Sequence, residues 1–158
     1  MLKYVGYDIV FREIPDEVTL AVNISGCPNG CKGCHSAYLQ QDIGEELTSE
    51  AVETMLQPND GEVTCICFMG GDADPEKVAE LAQEVKKRHG DTICTAWYSG
   101  RPKLPENFPI RVLDYVKVGP YIASKGPLDN PNTNQRLYKV NEDGTLEDIT
   151  AMFWRKGI

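Results

Sequence analysis

The sequence predicts an α/β domain whose strands run mainly parallel. Three observations carry that prediction. Residues 63–68, Val-Thr-Cys-Ile-Cys-Phe, form a nearly continuous apolar run, as expected of a strand buried on both faces. An amphipathic helical pattern follows from Pro75 to about His89, with Val78, Leu81, Ala82 and Val85 on one face and charges opposite. A second short apolar strand then spans 92–97. Strand, helix and strand in about 35 residues make a parallel βαβ unit, right-handed by default.

The chain has 158 residues, which is the length of one domain, and residues 1–158 are read as one. Its net charge of −8 opposes binding to a nucleic acid backbone. The acidity is lopsided. Residues 1–60 hold three basic and ten acidic side chains, against thirteen and fourteen in residues 61–158. The acidic half is either a solvated surface or a docking face for a basic partner. No apolar run is long enough to span a bilayer, and the N-terminus lacks a signal-peptide pattern. Those features predict a cytoplasmic protein that binds no membrane. Six cysteines in that compartment point to metal or redox chemistry instead of a disulfide framework.

In chain order, residues 7–11 suggest a short edge strand. Residues 18–24 give the first convincing strand, because Val18, Leu20, Val22 and Ile24 alternate. It runs straight into Gly26-Cys27-Pro28-Asn29-Gly30-Cys31-Lys32-Gly33-Cys34-His35. Thr48 or Ser49 then caps a helix to about Gln57, with Val52, Met55 and Leu56 as its apolar stripe. Pro58-Asn59-Asp60-Gly61 turns the chain. Within the strand at 63–68, Cys65 and Cys67 share a face; they are small core residues or a second metal or redox pair.

Met69-Gly70-Gly71-Asp72-Ala73-Asp74-Pro75 follows. Asp74 is a natural N-cap and Pro75 a natural first helical residue. Capping leaves Gly70, Gly71 and Asp72 unexplained. Glycines permit close backbone approach to a ligand, and Asp72 offers an acceptor there. Gly90 suits the helix end. Cys94 and Trp97 read as core. Ser99, just past the next strand, either bonds a ligand or shapes the turn. Residues 112–118 read as another buried strand, in which Lys117 is a ligand contact or a snorkelling surface residue. Residues 124–135 are too polar and broken for core and read as a lid or partner-binding loop. Residues 136–140 and 145–149 flank Asn141-Glu142-Asp143-Gly144, the signal of a C-terminal hairpin. Phe153 and Trp154 in the tail read as packing residues.

The cysteine loop carries the chemistry. Three thiols at C-x3-C-x2-C spacing among three glycines and a proline exclude a regular helix or strand. Such a loop can wrap a zinc ion or an iron–sulfur cluster. Structural zinc normally takes a fourth protein ligand, and His35 adjoins Cys34 too closely to reach the same ion comfortably. A cluster held by three cysteines keeps one iron open for a substrate or cofactor.

The cysteine loop after the first core strand, the Gly-Gly-acid turn after the second and the strand–helix repeat together resemble the radical S-adenosylmethionine enzymes. Asp72 stands where that family commonly has glutamate. With about five core strands predicted, a complete eight-stranded barrel is excluded, so the resemblance implies an incomplete, TIM-like β/α barrel. Small members of this kind resemble the activating proteins of glycyl-radical enzymes. Gly33 before the third cysteine, and Asn132-Thr133-Asn134-Gln135-Arg136, are similar to activators of the anaerobic ribonucleoside-triphosphate reductase.

That resemblance implies a 4Fe-4S cluster on Cys27, Cys31 and Cys34, with S-adenosylmethionine chelating the fourth iron. It implies that Gly70, Gly71 and Asp72 receive the methionyl amino group, and that Gly33, His35 and the turn near Ser99 face the adenosine. It further implies that one electron cleaves the sulfonium and that the resulting 5′-deoxyadenosyl radical takes a hydrogen atom from a glycine of the partner enzyme. A low-potential donor, a flavodoxin or ferredoxin, completes the expected partners. The alternatives are activation of a different glycyl-radical enzyme, or a zinc-stapled binding module without catalysis.

Overall fold

The computed structural model describes residues 2–26, 43–59 and 61–154. They form an eight-stranded mixed sheet with two α-helices. The strands are β1 (Lys3–Val10), β2 (Thr19–Ile24), β3 (Glu45–Glu46), β4 (Cys65–Met69), β5 (Cys94–Tyr98), β6 (Tyr115–Val118), β7 (Arg136–Val140) and β8 (Leu146–Asp148). The helices are α1 (Ser49–Leu56) and α2 (Pro75–His89).

Strand order is β3-β1-β2-β4-β5-β6-β7-β8. The central four strands, β2, β4, β5 and β6, are parallel. Both margins are antiparallel, through β1 and β3 on one side and the β7–β8 hairpin on the other. Parallel pairing is thus confined to the four central strands, with antiparallel pairs on both sides. The C-terminal hairpin forms at the expected place.

Local chemistry sets the helix starts. Thr48 caps α1, its side chain accepting from Ala51 N at 3.1 Å. Asp74 caps α2 by accepting from Lys77 N at 3.2 Å, and Pro75 opens the helix. The apolar stripes at Val52, Met55 and Leu56 and at Val78, Leu81, Ala82 and Val85 are buried. They cover the sheet face formed by Leu20, Val22, Ile24, Ile66, Phe68, Trp97 and Val116. At the far edge of that layer, Lys86 of α2 reaches Asp114 at 2.7 Å and anchors the start of β6.

The opposite sheet face is lined by small residues. Cys65, Cys67 and Ala96 pack there with Leu137 and with Ile14, whose segment precedes β2. Register places Cys65 beside Cys94, and Cys67 beside Ala96. Small side chains on this face leave room for Ile14, which is fully buried.

Two strands differ from expectation. The first runs from Lys3 to Val10 and is flanked by β2 and β3, so it is not an edge strand. The strand expected at 112–118 begins only at Tyr115, because Ile110–Val112 forms a 3-10 turn.

Candidate functional site

Parallel pairing puts the C-terminal ends of β2, β4, β5 and β6 on one rim of the sheet. In α/β proteins that rim is where ligands bind. Five of the sequence-predicted residues meet there, counting Lys117: Gly70, Gly71 and Asp72 follow β4, and Ser99 follows β5. Lys117 joins them from β6.

Asp72 is buried at 6% exposure, and its carboxylate is locked to the next loop. Ser99 Oγ donates to Oδ1 at 2.6 Å, and Gly100 N donates to Oδ2 at 2.8 Å. Ser99 Oγ in turn accepts from Arg101 N at 3.1 Å. Ser99 therefore shapes the turn and fixes the carboxylate at once. Lys117 is buried, against the surface alternative. Its ammonium donates to the carbonyls of Ser99 at 3.0 Å and Gly119 at 3.1 Å, and lies 5.5 Å from the centre of the Tyr98 ring. The rim thus holds one buried carboxylate and one buried ammonium, bridged by Ser99.

The double glycine is required twice over. Gly70 and Gly71 have φ of +113° and +96°, a region that side chains rarely adopt. A Cβ on Gly71 would also lie 2.6 Å from Val78 Cγ2. Both glycine carbonyls are engaged. Gly70 O accepts from Trp97 Nε1 at 2.6 Å, and Gly71 O accepts from Asp74 N at 3.0 Å. The charge suited to a cation on this turn is therefore the Asp72 carboxylate.

Cys27, Cys31, Cys34, Gly33 and His35 lie outside the described residues. The residues bordering that segment are described. Ser25 N donates to Lys3 O at 2.9 Å, and Ser25 Oγ donates to the Ile43 carbonyl. One serine thus joins the chain entering the cysteine segment to the chain leaving it. Sequence reasoning missed Ser25, and its position directly before Gly26 and the first cysteine was the available signal. It also missed the side-chain role of Trp97, for which no local pattern exists.

Among the described residues, no group of three or more His, Cys, Asp or Glu side chains is placed to hold a metal ion. Cys65 and Cys67 are buried core groups, and Cys94 is half-buried beside them. Burial pushes Cys65 and Cys67 well above the usual thiol range, and pushes Cys94 up to about 11 with help from Glu17. Protonated thiols are poor metal ligands. A groove lined by Glu53, Leu56, Val63, His89 and Ile93 lies at the opposite, N-terminal end of the strands, where His89 Nε2 meets the Glu53 carboxylate at 3.0 Å. It is remote from the rim. No helix among the described residues is long and apolar enough to cross a membrane.

A family model described as "4Fe-4S single cluster domain" matches residues 17–125. That span begins just before β2 and ends beyond β6. It therefore takes in the cysteine segment, all four parallel strands and the whole rim. No curated protein and no solved structure gives a significant match. With the match covering well over half of the 158 residues and taking in the three-cysteine loop, the chain belongs to the 4Fe-4S single cluster domain family and is an iron–sulfur protein.

Proposed function

We propose that this protein is a radical S-adenosylmethionine enzyme that activates a glycyl-radical enzyme, the anaerobic ribonucleoside-triphosphate reductase first among the candidates. The observation that carries the reading is the cysteine count. An iron–sulfur family member offers three cysteines, at 27, 31 and 34, in the loop leaving β2, where a closed cubane would take four. The rim residues fit the remaining partner. Asp72 is a buried, pre-oriented carboxylate for a cationic amino group, and the Gly70–Gly71 backbone can approach a ligand closely.

In this reading Cys27, Cys31 and Cys34 hold the cluster. Asp72 takes the methionyl amino group, with the glycines beside it. Gly33, His35 and the Ser99 turn face the adenosine, and Lys117 holds the Ser99 and Gly119 carbonyls in place behind them. When bound, the cluster and cofactor supply a one-electron cleavage of the sulfonium and a hydrogen-atom abstraction from a partner glycine. The chain's own work is to bind, to orient and to exclude water and oxygen. No general base is needed. A flavodoxin or ferredoxin in the cytoplasm supplies the electron. The sheet belongs to an incomplete barrel in this reading, and its open side admits the glycine-bearing segment.

The test is to mix the anaerobically reconstituted protein, S-adenosylmethionine, a reductant and the reductase. A glycyl-radical doublet in the electron paramagnetic resonance spectrum is expected. Its absence, with cofactor cleavage intact, would assign the protein to another partner.

A further inference from the structure

Among the described residues, the outer edge of β1 is unpaired over most of its length. β3 covers only Lys3 and Tyr4. At Ile43 the chain has already left that edge, because Ser25 Oγ donates to the Ile43 carbonyl and holds it beside the end of β2. Gly6 to Val10 pair with β2 on one side alone.

The ladder decides which backbone groups face outward. Val18 O accepts from Thr64 N at 2.8 Å, so Val18 faces β4. Backbone groups alternate sides along a strand, so Thr19, Ala21 and Asn23 face β1. Their partners Val10, Asp8 and Gly6 engage their own N–H and C=O groups there. The N–H and C=O groups of Tyr7 and Ile9 therefore point away from the sheet.

The side chains on this margin are also open. Tyr7 and Ile9 stand beside Val22 and Leu20, on the face that the helices cover. The cover stops short of the margin: Tyr7 is 45% exposed, and Phe11, in the bend after the strand, is 68% exposed. On the other face, a Cβ on Gly6 would meet nothing within 4 Å. Proteins normally blunt such an edge with lysine, proline or a covering segment. Between Val5 and Phe11 there is neither lysine nor proline, and Asp8 is the one charge.

This edge is self-complementary in one register. Two copies pairing antiparallel must oppose residues that both face outward. Ile9 against Ile9 sets Tyr7 against Phe11 and Asp8 against Val10. Asp8 then lies diagonal to Arg12 of the other copy, within reach of its long side chain. Tyr7 against Ile9 would instead set two Asp8 carboxylates face to face, which is repulsive. Tyr7 against Tyr7 would bring Val10 of one copy onto Tyr4 of the other, where β3 already lies. A shift the other way runs past Val10 into the bend at 11–14.

We propose that the chain forms a two-fold symmetric dimer through antiparallel pairing of β1 with β1 of a second copy, with Ile9 on the axis. The pairing joins the two sheets into one, engages the outward groups of Tyr7 and Ile9, and covers the exposed aromatic rings. It stands apart from the cofactor reading.

The test is sedimentation equilibrium of the full, anaerobically reconstituted chain over a range of concentrations. Wild type should approach twice the 17.6 kDa of one chain. Ile9→Lys places a charge against its own copy on the axis and should be monomeric. Asp8→Arg and Arg12→Asp should each weaken dimerisation by about tenfold, and the two combined should restore it. Both residues are exposed, so these variants should melt as wild type does, and they decide the matter even if Ile9→Lys fails to fold. A monomeric wild type, a dimer that none of the variants weakens, or a double variant no tighter than the singles would overturn the proposal.

Discussion

The indole Nε1 of Trp97 donates to the carbonyl oxygen of Gly70 at 2.6 Å. Trp97 is fully buried and stacks on Phe108, with ring centres 5.1 Å apart. The peptide between Gly70 and Gly71 is planar and trans, so a carbonyl held toward Trp97 turns the Gly71 N–H the opposite way. A core side chain thus sets the orientation of the turn at the candidate site. Trp97→Phe keeps a ring against Phe108 and removes the donor. The orphaned carbonyl should cost about 1–3 kcal/mol, lowering the melting temperature by on the order of 5 °C. Affinity for S-adenosylhomocysteine should fall as well. A variant with lowered stability and unchanged affinity would make Trp97 a packing residue alone.

Gly71→Ala should destabilise through two separate causes. Positive φ costs a side-chain-bearing residue about 1–2 kcal/mol, and the new methyl would press on Val78 Cγ2. Adding Val78→Ala relieves the second cause and not the first. Urea denaturation of the single and double variants should therefore show partial recovery relative to Val78→Ala alone. Full recovery would mean that backbone strain contributes nothing.

Asp72→Asn places an amide where two donors, Ser99 Oγ and Gly100 N, now point. The variant should retain its iron and lose S-adenosylmethionine cleavage by at least about tenfold, since a charge-assisted contact is worth about 1.5–3 kcal/mol. Asp72→Glu should retain part of the activity. Loss of iron in Asp72→Asn would instead place Asp72 in support of the cluster.

The buried thiols predict a pH limit on stability. Burial holds the proton on Cys94 up to about 11, against an ordinary value of 9.0, and raises Cys65 and Cys67 as well. Between those values the unfolded chain has lost protons that the native state keeps, so stability falls as pH rises. The contribution is fully present below about pH 9 and is lost progressively above it. Equilibrium unfolding from pH 8 to 11 should show that decline, and Cys65→Ser should reduce its slope.

Much of the architecture was legible locally. Helix α2 announced itself through Asp74, Pro75 and its stripe from Val78 to Val85, and the hairpin through Asn141–Gly144. The long first strand was not, because its outer partner β3 is two exposed glutamates with no apolar signal. The late start of β6 was also hidden. Asp114 accepts from Thr95 N at 2.9 Å and pairs with Lys86, contacts that no local pattern reports. At the site, residue types on the rim could be read, whereas their couplings could not. Ser99 to Asp72, Trp97 to Gly70 and Asn134 to Pro120 join residues 14 to 27 positions apart. Such pairings follow from sheet order, which the sequence does not spell out.

The most direct measurement is the fate of S-adenosylmethionine on reduction of the anaerobically reconstituted protein, followed by chromatography with iron counted in parallel. Wild type should carry about four irons and release 5′-deoxyadenosine and methionine. Cys27→Ser, Cys31→Ser and Cys34→Ser should release none, and Cys65→Ser should behave as wild type. A reduced, iron-loaded protein that leaves S-adenosylmethionine whole, or one zinc in place of the iron, would contradict the account.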